Sequence, residues 1–353
     1  MRLPTKDNKI DYDLANEMID NAYKSGVTYY DTAYFYHDGE SEVFLGKSLK
    51  RYPRDTYYVA SKLPLGLVNN LEDAKRIFNE QLKKLDLEYL DFYLLHGINK
   101  GAYLKAKELK ILDYLEELKK EGKISHIGCS FHGSYEDFEF IVNDYDFEFV
   151  QIQLNYMDIN HQQGIKGYNI LKDKGIPVVI MEPVKGGSLA KFSSDAEEIL
   201  KKERPDSSIA SWAIRWVASL DGVMTILSGM SNLEQVNDNL KTIKNFEPLS
   251  ENEYKLIDKV TDIIRSRVLV ACTDCKYCMP CPKGVNIPKN FAKLNELYKY
   301  DRLDQWPHVW GLSQEEKLSN CIACKICESK CPQGIKISEI FADFIAKEKV
   351  ASH

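Results

Sequence analysis

An eightfold (β/α) barrel lacking most of its first strand, followed by a small helical cysteine-rich module, is the α/β fold class that the sequence predicts. Three observations carry it. From Asp11 to about Asn245, short apolar runs alternate with longer amphipathic stretches; the runs number seven against eight helical patterns; and eight of the nine cysteines lie beyond residue 270.

The apolar runs are 27–30, 57–60, 91–95, 124–129, 147–152, 177–181 and 223–227. All are rich in Val, Ile, Tyr and Phe and short enough for buried strands. Helical patterns fall near 12–24, 40–50, 72–85, 104–121, 135–144, 161–174, 207–219 and 233–244, with Gly26, Gly122 and Gly175 where helix C-caps are wanted. Units repeating at this spacing build a parallel sheet. A barrel needs eight strands, so the first is expected as a stub at residues 1–3 or outside this chain. A doubly wound open sheet is the alternative, but no G-x-G-x-x-G follows the first strand. Beyond Phe246 the rhythm stops, and helices are expected at 256–270 and 287–300. The domains are then 1–265, a barrel, and 266–353, a module too poor in apolar residues to fold well unaided.

Charged residues make up 28% of the chain and the net charge is −6, which gives no footprint for a nucleic-acid partner. No stretch approaches 18 apolar residues and the N-terminus has no apolar signal region, so a reduced cytoplasm is the expected location.

The cysteines read Cys272-x2-Cys275-x2-Cys278-x2-Cys281-Pro282 and Cys321-x2-Cys324-x2-Cys327-x3-Cys331-Pro332. Thiolates three apart, closed by Cys-Pro, are the spacing that wraps a [4Fe-4S] cluster, and the second run matches the bacterial ferredoxin pattern. Structural zinc is the weaker reading, since it takes four ligands in two separated pairs. Four thiolates per cluster make two clusters. On the two-cluster pattern Cys331 joins Cys272, Cys275 and Cys278, while Cys281 joins Cys321, Cys324 and Cys327. The first run has x2 before its last cysteine, so a single cluster stays open. Cys129, alone in an apolar run, reads as a small buried hydrophobe.

Barrel chemistry belongs to the C-terminal ends of strands. There stand Asp31, Tyr36, Lys62 and His96. A tyrosine is a poor acid near neutrality, and a neighbouring ammonium lowers its pKa. Lys62 supplies that charge, Asp31 orients Lys62, and His96 hydrogen-bonds a carbonyl. His126, His132 and His161 read as ordinary core or surface histidines.

The chain resembles the aldo-keto reductases, and within them the subgroup with a C-terminal ferredoxin-type extension. The resemblance rests on Asp31-Thr-Ala-Tyr-Phe-Tyr36, Glu40-Ser-Glu42 through Leu45-Gly46, Lys62, Leu94-Leu95-His96, Gln151-x3-Asn155, Met181-Glu-Pro183 and Glu234-Gln235-x3-Asn239. It implies hydride transfer from NAD(P)H to a small carbonyl substrate, with Tyr36 as proton donor in a tetrad with Asp31, Lys62 and His96. Ser130 and Gln151 match the family's carboxamide contacts, Phe131 stands where an Asn is usual, and Met181 replaces the stacking aromatic. Gly186, Gly187 and Ser188 fall in the pyrophosphate loop beside Lys185, and Gln235, Asp238 and Asn239 near the adenosine. Gly229 and Gln235 replace the family's cations for a 2′-phosphate, so discrimination in favour of NADP is expected to be weak. The resemblance aligns Met-Arg-Leu-Pro with the end of a first strand, which leads to the expectation of an upstream start about 20–25 residues earlier.

A nicotinamide gives two electrons at once and a cluster takes one, so coupling needs a converter such as a flavin. The favoured reading is therefore a carbonyl reductase whose clusters are structural, regulatory or linked to a ferredoxin or other carrier. A flavin-assisted or ferredoxin-linked electron-transfer protein and a non-enzymatic redox sensor are the alternatives.

Overall fold

The computed structural model describes residues 2–308 and 311–351, with the backbone alone for 307–308 and 347–351. The chain forms two compact units, Met1–Gly187 with Ser207–Ser250, and Ser188–Asp206 with Glu251–His353.

In the first unit the order is β1 (Thr5–Lys6), β2 (Lys9–Ile10), α1 (Tyr12–Lys24), β3 (Tyr29–Asp31), α2 (Glu40–Leu49), β4 (Tyr58–Leu63) and α3 (Leu71–Leu85). Next come β5 (Leu90–Ile98), α4 (Lys100–Glu108), α5 (Ile111–Lys120), β6 (Ile124–Phe131), α6 (Tyr135–Asp144), β7 (Phe149–Gln153), α7 (Gly164–Asp173) and β8 (Val178–Met181). After α8 (Ser194–Glu203), which belongs to the second unit, α9 (Ile209–Ala218), β9 (Val223–Ile226) and α10 (Leu233–Lys244) complete it.

Strands β3 to β9 form one parallel sheet in sequence order, the winding of a barrel rather than the reversed order of a doubly wound sheet. Among the described residues no ladder closes β9 onto β3. The expected stub at 1–3 begins outside the described residues, and Arg2 and Leu3 carry no strand. They nevertheless tie the two edges at their C-terminal ends. Leu3 N donates to His37 Nε2 at 3.0 Å, after β3, and Ser231 Oγ donates to the Arg2 carbonyl at 3.2 Å, after β9.

Side chains fill the barrel. Ala60, Leu94, Phe149 and Val179 pack together from β4, β5, β7 and β8, and burying a residue such as Phe149 contributes roughly 1.5–3 kcal/mol. Gly128 makes room for it, because a Cβ there would lie 2.4 Å from the Phe149 ring. Polar caps set the helix starts: Asp11 accepts from Leu14 N, Asn70 from Asp73 N, and Ser134 from Asp137 N. The single helix expected over 104–121 is two, broken at Lys110 with φ 56°, which turns the buried Tyr103 and Ala106 of α4 and the Ile111 to Leu118 face of α5 separately onto the sheet.

The second unit holds α8, α11 (Glu251–Ser266), α12 (Ile287–Lys299), α13 (Ile326–Ser329) and α14 (Ile337–Ala351). Helix α8 packs on α11, with Arg204 Nε 2.6 Å from Glu253 Oε1. Val285, Phe291, Leu294, Trp306, Leu318 and Phe341 form its buried core. Helix α8 escapes a reading by apolar pattern because it buries only Ala196 and Leu200.

Candidate functional site

At the C-terminal ends of β3, β4 and β5, the structure brings Asp31, Tyr36, Lys62 and His96 together. Lys62 is completely buried, and its Nζ donates to Asp31 Oδ1 and Oδ2 at 2.8 and 2.6 Å and to the Thr32 carbonyl at 2.7 Å. The Tyr36 ring centroid is 5.1 Å from that Nζ, and the Tyr36 and His96 rings meet edge to face at 6.0 Å. The loop turning Tyr36 inward is left-handed at His37 and Asp38, with φ 51° and 54°. Such backbone costs of order 1–3 kcal/mol per residue and survives where its surroundings over-determine it.

The charges in this group push in opposite directions. Burial draws the Lys62 ammonium down, but Asp31 and then Tyr36 more than offset it and hold it above the ordinary lysine value. Burial raises the Tyr36 phenol, and Lys62 acts downward without prevailing, so the hydroxyl sits above its usual range rather than below it. The expected lowering by Lys62 is real but smaller than the desolvation. Burial, aided by Lys62, lowers His96 to about 4, which leaves a neutral imidazole near pH 7. Its Nδ1 is buried without a partner.

A second layer holds Lys62 and went unread in the sequence. Glu42, fully buried, accepts from Ser61 Oγ at 2.6 Å and Gln81 Nε2 at 2.7 Å. Gln81 also donates to the Lys62 carbonyl at 3.1 Å and accepts from Tyr93 OH at 2.7 Å. The signal available was a Glu, a Ser and a Gln on faces that otherwise bury apolar residues. Glu182 acts upward on both Tyr36 and His132, and His132 acts downward on His96, each beside a larger effect of burial.

Of the residues matched to a nicotinamide, Ser130, Gln151 and Met181 converge from β6, β7 and β8. Gln151 Nε2 donates to Met181 Sδ at 3.4 Å, Ser130 Oγ lies 4.0 Å from the same sulfur, and Gln151 Oε1 is buried without a partner. An orphaned acceptor beside a hydroxyl and a thioether fits a carboxamide on a planar ring. Phe131 turns away into the core against Phe138, ring centroids 4.9 Å apart. Gly186 and Gly187 lie in a tight turn, with φ 60° and 94°. Lys185 Nζ is held by Asp158 at 2.8 and 2.9 Å. Ser188 falls in the second unit, where Arg302 Nη1 donates to its Oγ at 3.0 Å. On α10, Gln235 Oε1 accepts from Ser231 N at 2.7 Å, Asp238 from Ser208 Oγ at 2.6 Å, and Asn239 donates to Ser228 Oγ at 2.9 Å. A Cβ on Gly229 would meet Arg2 Cβ at 3.0 Å and Arg2 Nε at 3.7 Å, so a cation stands beside a position that carries none.

In the second unit the thiols ring two cavities. One is lined by Cys272, Cys275, Cys278 and Cys331; the other by Cys281, Cys321, Cys324 and Cys327, with Cys278 at its wall. Four thiols converging on one pocket suit a multi-atom iron-sulfur group, since each iron takes one thiolate. No three His, Cys, Asp or Glu close to single-ion distance among the described residues. The runs repeat in backbone as in sequence. Asp274 and Lys276 are left-handed at φ 54° and 63°, and their counterparts Ala323 and Lys325 at 55° and 59°. Gly284 N donates to the Cys281 carbonyl and Gly334 N to that of Cys331, at 3.0 and 3.1 Å, before α12 and α14 begin. The extra residue of the second run is taken up in the one-turn helix α13. Cys129 is fully buried, as expected of a small hydrophobe.

Comparison with known proteins matches the model of the aldo/keto reductase family to residues 1–262 and that of a 4Fe-4S dicluster domain to residues 271–335. L-galactose dehydrogenase of Arabidopsis thaliana is 26% identical over 67% of this chain and 79% of its own length. The NADH-specific methylglyoxal reductase of Escherichia coli is 24% identical over 68% of this chain and 86% of its own. Among solved structures, the holo form of aldo-keto reductase AKR11C1 from Bacillus halodurans matches with TM-score 0.60 at 23% identity, over 73% of this chain and 91% of that one. An aldo-keto reductase from Klebsiella pneumoniae in complex with NADPH gives TM-score 0.59 at 21% identity, over 73% and 89%. At these identities the structural likeness is one of fold.

Proposed function

We propose, from the premise that this chain belongs to the aldo/keto reductase family and is an oxidoreductase carrying a C-terminal 4Fe-4S domain, that it reduces a small carbonyl compound with Tyr36 as proton donor. The observation that carries the reading is the buried Lys62, gripped by both Asp31 oxygens and set 5.1 Å from the Tyr36 ring. A reduced nicotinamide, when bound, supplies the hydride, and Ser130, Gln151 and Met181 would hold its carboxamide and ring. Tyr36 keeps its proton at neutral pH because burial outweighs Lys62, and it releases that proton only as charge grows on the carbonyl oxygen. Lys62 then stabilises the phenolate left behind, and Asp31 keeps the ammonium in place. Neutral His96 donates a hydrogen bond to the same oxygen.

The NADH-specific relative supports NADH as a nucleotide for this site, whereas Arg2 beside Gly229 supplies a cation for NADPH. We infer two clusters in the crossed arrangement, because Cys331 joins three thiols of the first run around one cavity and Cys281 joins three of the second around the other, where Cys278 also reaches the wall. Eight thiolates at work suit a reduced cytoplasm. The test is anaerobic oxidation of NADH and NADPH with methylglyoxal and short aldehydes as substrates. Turnover lost in Tyr36→Phe, with nucleotide binding retained, is the expected result; nucleotide oxidation that needs no carbonyl and bleaches the cluster absorbance favours electron transfer instead.

A further inference from the structure

The two cysteine runs repeat each other closely, so their differences stand out. Each presents a tip of five consecutive exposed residues around one cysteine, 273–277 around Cys275 and 322–326 around Cys324. The first tip reads Thr-Asp-Cys-Lys-Tyr and the second Ile-Ala-Cys-Lys-Ile. In the first, Lys276 Nζ lies 4.0 Å from Asp274, which offsets its charge. In the second, alanine replaces that aspartate. The neighbouring carboxylate, Glu328, is turned onto Ser338, whose N and Oγ donate to it at 2.7 and 2.5 Å, and no ion pair joins it to Lys325 among the described residues.

Ile322 and Ile326 are 58% and 48% exposed, yet both line the cavity ringed by Cys281, Cys321, Cys324 and Cys327. One layer of apolar side chain therefore separates that cavity from solvent. Apolar side chains exposed next to one another over a single pocket mark an interaction surface more than scattered ones do. Lys325 stands between them in the chain and Lys330 and Lys336 follow within ten residues of Ile326, in a chain of net charge −6.

We propose that the tip 322–326 is the docking face for a small acidic one-electron carrier protein, and that the equivalent tip 273–277 is not. The apolar centre excludes water where the two redox centres approach, and the lysine rim steers and orients an acidic partner. One electron leaves the carrier's reduced centre and one enters the site behind Ile322 and Ile326, or the reverse, and no bond forms or breaks. The proposal rests on the reading that the thiols hold iron-sulfur clusters.

The test titrates anaerobically purified full-length protein with an acidic plant-type [2Fe-2S] ferredoxin as probe, by calorimetry at about 0.02 and 0.2 M salt. Binding is expected to weaken at least tenfold between the two, roughly the effect of a few screened ion pairs. At low salt, Lys325→Gln and Ile326→Ser weaken it about fivefold or more, while Lys276→Gln and Tyr277→Ser change it by less than about twofold. Absence of binding, indifference to salt, or equal losses at the two tips overturns the proposal. Iron and sulfide are measured on every sample. Lys325→Gln, which keeps the side-chain stem, decides the matter if Ile326→Ser loads poorly. Wild-type protein without iron overturns the cluster reading itself; full iron with indifferent tips overturns the docking face alone.

Discussion

The barrel mouth and the thiol rings both gather groups that resist burial, and they satisfy them in opposite ways. At the mouth, Lys62 has Asp31 and the Thr32 carbonyl around its ammonium, with Gln81 and Glu42 behind its strand. A buried charge left alone costs several kcal/mol, and the Lys62 ammonium is satisfied within the chain, whereas His96 Nδ1 and Gln151 Oε1 are buried without a partner. In the second unit, the thiols of each set converge on a pocket with no counter-charge from the chain among its lining residues except Lys276 and Lys325. The geometry of the mouth is a property of the polypeptide; that of the rings belongs to the polypeptide together with what it holds.

Removal of iron is the harshest way to break this comparison. A site whose ligands come from two distant runs couples loading to folding. Chelation under anaerobic conditions is expected to open residues 271–351 to limited proteolysis while residues 1–187 stay resistant, read by mass spectrometry. Equal resistance of both would show rings as self-sufficient as the mouth. Cys281→Ser sharpens the point: Cys321, Cys324 and Cys327 become open to alkylation, whereas Cys272, Cys275, Cys278 and Cys331 stay protected. Protection of the opposite set would refute the crossed arrangement.

Next in size is the loss of the Tyr36 hydroxyl. Tyr36→Phe is expected to lower kcat about 10²–10⁴-fold, the usual share of a positioned acid, with cluster content and nucleotide affinity unchanged. A loss under about tenfold would move the proton donor elsewhere.

Legibility in the sequence followed periodicity and spacing. Alternation located all seven strands of the sheet, since buried parallel strands need unbroken apolar runs, and thiol spacing located both rings. That Asp31, Tyr36, Lys62 and His96 come together was legible because strand ends in a barrel converge. Packing and desolvation left no such trace. Nothing local in sequence says that burial outweighs Lys62 at Tyr36, that Asp158 grips Lys185, or that Arg2 reaches Gly229. The break at Lys110 and the sparse helix α8 were hidden for a related reason, because tertiary contacts rather than propensity set them.

A smaller effect follows from His96. Its folded pKa of about 4 lies below the unfolded value near 6.5, so the unfolded chain binds more protons between those limits. Its contribution is complete above about pH 6.5 and is lost as pH falls toward 4, by at most about 3 kcal/mol. Urea midpoints of wild type and His96→Asn are therefore expected to converge from pH 7 to pH 4.5. A constant difference across that range would mean that the imidazole is not held neutral, and the mouth would be less rigid than the comparison requires.

The mildest change bears on how much of the mouth the chain supplies by itself. Arg2 lies on the segment that ties the two sheet edges, with Leu3 bonded to His37 and the Arg2 carbonyl to Ser231. Its guanidinium is the cation beside Gly229, where an uncharged residue alone gives a 2′-phosphate no charge-assisted bond. One such bond is worth about 1.5–3 kcal/mol. Arg2→Ala is therefore expected to weaken NADPH binding about tenfold or more and to leave NADH within about twofold, by calorimetric titration of each. Equal losses for both nucleotides would assign Arg2 to holding the two edges together. Indifference of both would return the site to the weak discrimination that Gly229 and Gln235 alone imply, and the tie between the edges would then be structural without being part of recognition.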